Sequence, residues 1–63
     1  MKPTIVIREQ EHDSTIIGRA INILKIFNME KMTNFIGDVA KKKNVKKVLP
    51  DYFEVKIKKA KGN

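Results

Sequence analysis

The residues in this chain with the clearest chemistry are its lysines, and they are not spread evenly. After Ala40 come Lys41, Lys42, Lys43, Lys46, Lys47, Lys56, Lys58, Lys59 and Lys61 against only Asp51 and Glu54, which accounts for the whole net charge of +7. Up to Ala40 the chain is neutral: Lys2, Arg8, Arg19, Lys25 and Lys31 are matched by Glu9, Glu11, Asp13, Glu30 and Asp38. A local excess of this kind draws phosphate or another polyanion. It does so with little geometric selectivity, because an ammonium is a point charge whereas a guanidinium is a fork. The expected partner is nucleic acid, duplex DNA first. The alternative is an acidic surface on a larger protein, and an RNA partner ranks behind both because the arginines and aromatic platforms of single-strand recognition are scarce.

Other chemistries are poorly supplied. There is no cysteine and one histidine, His12, so no nucleophile-and-base pair, disulfide or thiolate metal site can be assembled. Glu9, Glu11, His12 and Asp13 cluster without metal-ligand spacing and read as a solvated acidic loop. Gly18 and Gly37 are isolated, so no phosphate-cradling loop or KH-type Gly-x-x-Gly clamp is present. The expectation is a binding protein with no catalytic residues, no cofactor and no small-molecule substrate. No apolar run approaches the roughly 18 residues of a membrane span, and no signal-peptide pattern opens the sequence, so the expected setting is cytoplasmic.

These charges must be positioned by a thin scaffold. A chain of 63 residues forms one small domain, read as residues 1–63 with a frayed tail at 60–63. Without disulfides or metal, self-association is the remaining source of extra stability. In residues 3–8, Ile5 and Ile7 alternate with Thr4, Val6 and Arg8, the period of a strand with one buried face. A charged loop follows, in which Asp13 or Ser14 can cap a helix. Over residues 15–27, Ile16, Ile17, Ala20, Ile21, Leu24 and Phe27 recur at helical spacing, and Ile23 and Ile26 widen the apolar stripe. That breadth asks the helix to touch two surfaces, the second supplied by a dimer partner. Asn28 breaks the pattern. A second helix carries Met32, Phe35, Ile36, Val39 and Ala40 on one stripe and ends in Lys41, Lys42 and Lys43, cations suited to the negative end of the helix dipole. The two helical glycines permit either close helix approach or an exposed position. After a basic stretch and a turn at Pro50 and Asp51, residues 53, 55 and 57 alternate with charged ones as a second strand. Of the four aromatics, Phe27 and Phe35 lie on the helical stripes and Phe53 on the inward side of the second strand, which leaves Tyr52 as the candidate for base stacking. The fold class is α+β, a small strand-helix-helix-strand domain, and whether its strands pair within one chain or between two stays open.

The first two thirds of the chain resembles the ribbon-helix-helix family of small dimeric DNA-binding regulators. TIVIR matches the ribbon, STIIGRAINILKIFN the first helix and MTNFIGDVAKK the second. The resemblance implies an intertwined homodimer in which the first strand pairs with its twin and its outward side chains enter the major groove. It places Thr4, Val6 and Arg8 toward bases and the backbone N–H groups of Thr33 and Asn34 toward a phosphate. Beside them, Lys41, Lys42, Lys43, Lys46, Lys47, Lys56 and Lys58 are the expected phosphate contacts of a transcription regulator. The loop from Glu9 to Asp13 is longer and more acidic than the family's usual turn, and the family core lacks the second strand. The rival function is a compact phage-type interaction protein that docks on an acidic host surface, with the second strand extending a partner's sheet.

Overall fold

The computed structural model describes residues 1–42 and 44–59, the side chain of Lys42 excepted. The expected tail at 60–63, Lys61, Lys43 and the Lys42 side chain lie outside the described part. Chain order is β1 (Thr4–Arg8), α1 (Asp13–Phe27), α2 (Met29–Lys42), α3 (Val45–Val48), a 3-10 turn (Leu49–Asp51) and β2 (Glu54–Lys58). The α+β expectation of strand, helix, helix, strand is therefore met. The basic stretch before Pro50 adds a short helix whose Val45 and Val48 are buried while Lys46 and Lys47 face solvent.

The strands pair within the chain, parallel and in register, from Thr4 beside Glu54 to Arg8 beside Lys58. A parallel pair needs a crossover, and here α1, α2 and α3 supply it. Ile5 and Ile7 turn inward onto Ile16, Ala20 and Leu24 of α1, Phe35 of α2, Val45 and Val48 of α3, Leu49 and Phe53. Among the described residues these ten are the buried ones, and none of the buried side chains is polar or charged. All the helices lie against one face of the sheet, because the apolar side chains of both strands point the same way.

Several local expectations change. The residue that caps α1 is His12, with no side-chain hydrogen bond, and Asp13 and Ser14 already lie in the first turn. Asn28 both ends α1 and opens α2: its extended backbone stops the first helix, and its Oδ1 accepts the Lys31 N–H at 3.2 Å. Along α1, Ile17, Ile21 and Ile23 are partly buried and pack against the same core. Ile26 and Phe27, placed on the apolar stripe by spacing, are instead 89% and 51% exposed at the α1–α2 corner. At neither Gly18 nor Gly37 does anything outside the local helix backbone come within 4 Å of where a Cβ would stand, so close helix approach explains neither.

Candidate nucleic-acid interface

The outward face of the sheet gathers residues that are far apart in sequence. Period-2 alternation sends Thr4, Val6 and Arg8 away from the core. Parallel register sets Glu54, Lys56 and Lys58 beside them on the same side, and all six are exposed. Val6 and Lys56 are neighbours at the centre, Arg8 and Lys58 at the carboxyl ends. Strands lie about 4.8 Å apart and alternate residues about 6.6 Å along each strand, so Arg8, Lys56 and Lys58 fall on one small plane. Only Glu54 opposes them. The expected base-facing and phosphate-facing groups of the two strands thus form a single surface.

That surface is unusual for a parallel pair. Parallel strands are ordinarily covered on both faces and read as continuous apolar runs. Here one face is bare, with Val6 49% exposed and three cations around it. Beyond the carboxyl ends the bare face runs into a depression lined by Arg8, His12, Arg19, Lys58 and Lys59 together with Glu9 and Glu11. Lys46 adds to this end, its Nζ donating to the Glu9 carbonyl at 3.0 Å.

Other expected site residues stand elsewhere. Lys41 is exposed at the end of α2 and Lys47 on α3, both in the helical layer rather than on the bare face. Thr33 and Asn34 are not at a helix start: α2 begins at Met29, and its first intrahelical bond, Met32 N–H to the Asn28 carbonyl at 3.1 Å, precedes them. Their N–H groups therefore fall within the helical ladder instead of facing a phosphate. Tyr52 is half-buried against the helical layer. Its ring meets Phe35 edge-on at 5.4 Å, and its hydroxyl donates to the Asp38 carboxylate. Burial, then the bond to Asp38, pushes its hydroxyl pKa up to about 12.

Sequence reasoning missed the device that closes the outer edge of β1. The Arg19 guanidinium forks onto both oxygens of the Glu11 carboxylate and donates to the Val6 carbonyl at 3.0 Å, while Glu11 Oε1 accepts the Arg8 N–H at 3.0 Å. Those backbone groups point away from β2, so the ion pair occupies the positions where another strand would bond. The ribbon-helix-helix resemblance pairs this strand with its twin; in this chain β1 pairs with β2 on one side and is plugged on the other. A charge pair eight residues apart on a loop and a helix has no periodic signature, so only the fold reveals it.

The same pair sets an acid limit. The hydrogen bond from Arg19, followed by that from the Arg8 N–H, lowers the Glu11 carboxyl from 4.5 to about 2. A depressed carboxyl stabilises the folded state fully above its unfolded value and loses that contribution as pH falls through its folded value. The urea midpoint of the protein is therefore expected to fall between pH 4.5 and about 2. Glu11→Gln should flatten that part of the profile, and an unchanged profile in the variant would show that Glu11 is not the group responsible.

Among the described residues, no group of three His, Asp or Glu side chains is placed to hold a metal ion, and no helix is long and apolar enough to cross a membrane. Comparison with known proteins finds no family model, no curated protein and no solved structure that matches this chain.

Proposed function

We propose that this protein is a small DNA-binding domain of regulatory type that lays the bare face of its sheet on duplex DNA and acts as a homodimer. The observation that carries the reading is the parallel strand pair left open on one face, with Arg8, Lys56 and Lys58 set in one plane there. Lysine ammoniums contact phosphates without reading bases, so most of the affinity is independent of sequence. Arg8 is the one group on the face that can fork onto a guanine edge, and Val6 and Thr4 offer methyl groups to a thymine. What the ribbon-helix-helix resemblance contributes is the use of an outward strand face; the strand's partner differs.

Titration of labelled duplex DNA, single-stranded DNA and RNA by fluorescence anisotropy tests this. Arg8, Lys56 and Lys58, with Lys46 and Lys59 at the rim, neutralise about three to five phosphates per chain. The logarithm of the duplex affinity should then fall against the logarithm of salt with a slope of about −2.7 to −4.5 per chain bound. Absence of duplex binding at about 50 mM salt would sink the reading and leave the basic face to an acidic protein surface.

A further inference from the structure

The two edges of the sheet are treated differently. Pro3 accepts the Glu54 N–H at 2.9 Å, which fixes the ladder parity: Glu54, Lys56 and Lys58 turn their backbone groups to β1, and Val55 and Ile57 turn theirs outward. The outer edge of β1 is plugged by Arg19 and Glu11. Among the described residues, no hydrogen bond reaches the outward N–H and C=O groups of Val55 and Ile57. Helical cover also stops short here, since Ile57 is 59% exposed while its register neighbour Ile7 is 3% exposed. Open strand edges with apolar side chains are pairing templates.

We infer that the occupant of this edge is β2 of a second copy, running antiparallel about a two-fold axis at Lys56, so that two chains share one four-stranded sheet. The inference deepens the homodimer part of the reading above. The strand is self-complementary in that register. Val55 of each chain faces Ile57 of the other, and both residues have outward backbone groups, giving four main-chain hydrogen bonds and covering the exposed Ile57. On the bare face Glu54 of each chain meets Lys58 of the other, so the one acid on that face is matched twice. Lys56 meets its own twin at the axis, the single like-charge contact. Sliding by two residues is worse in both directions. One slide sets Lys56 against Lys58. The other sets Ile57 against Phe53, whose N–H is already given to the Leu49 carbonyl at 2.8 Å. A two-fold axis normal to the sheet merges the two bare faces into one surface, as a symmetric reader of a duplex requires.

The seam is smaller than a standard interface of roughly 1,600 Å², so dimers should form in the range of about 10–100 µM. Sedimentation equilibrium on the nucleic-acid-free protein should show twice the 7.3 kDa chain mass at the upper end of that range. Ile57→Pro removes an N–H that β1 does not use, so the variant should keep its far-UV spectrum and sediment as a monomer. Glu54→Lys and Lys58→Glu should each raise the dimer dissociation constant by about tenfold, and the double exchange should restore it. A monomer throughout, or a dimer that survives Ile57→Pro, overturns the inference. Because no nucleic acid is present, a monomer that still binds duplex sinks the seam alone, and a dimer indifferent to duplex sinks the DNA reading alone.

Discussion

Replacing Arg8, Lys56 and Lys58 together by glutamine is expected to weaken duplex binding by about two to three decades at roughly 0.1 M salt and to flatten the salt slope by about 2.7 per chain. The magnitude follows from counterion release, in which each phosphate neutralised adds about 0.9 to the slope. All three side chains leave the exposed face of the sheet, so none contributes to the ten-residue core, and the variant should unfold where the parent does. The informative control is Lys41→Gln with Lys47→Gln. These lysines belong to the helical layer on the other side of the sheet, and a duplex lying on the bare face does not reach them. Their loss should cost less than about threefold, the residual effect of long-range attraction screened by salt. Equal losses in the two variants would show that net charge, and not this face, governs affinity. Arg8→Lys separates position from recognition: it should preserve the slope, and if the guanidinium forks onto guanine it should erase any preference among duplex sequences.

The contrast between the two lysine groups could not be drawn from composition. The sequence places an excess of charge after Ala40, but β2 folds back beside β1 while α2 and α3 stay in the helical layer, which splits the excess between two sides of the molecule. Period-2 alternation did identify which side chains of each strand face outward, because a strand has only two faces. Parallel direction and register depend on the crossover, and no local pattern encodes them. Helical periodicity was legible in the same measure. It marked Ile16, Ala20, Leu24 and Phe35 as inward, and these are fully buried. It failed at Phe27 and Ile26, which sit on the right stripe but beyond the point where α1 leaves the sheet and turns into α2. Spacing gives the direction of a side chain and not the extent of what lies opposite. Ile57 fails for that reason too, and its exposure is what makes the β2 edge informative.

Phe35→Ala is expected to leave the protein largely unfolded at room temperature. Phe35 is, with Phe53, the largest of the fully buried side chains and has no exposed surface. Its ring meets Tyr52 edge-on at 5.4 Å and Phe53 at 6.2 Å with a ring angle of 89°, so α2 is fixed through it to the segment that leads into β2. Truncating a buried phenylalanine to alanine costs about 3–5 kcal/mol in transfer and cavity terms. A core of this size supplies about the same in total. The cooperative thermal transition seen by circular dichroism should therefore vanish in Phe35→Ala and persist, at lower temperature, in Phe35→Leu, which keeps most of the volume. Phe27→Ala tests the geometric half of the argument. The residue lies on the same kind of apolar stripe but is half exposed, so its truncation should change stability by about 0.5–1 kcal/mol. Similar losses at the two positions would mean that the α1–α2 corner is packed against something, and that the tertiary arrangement around Phe35 is not what holds the strands together.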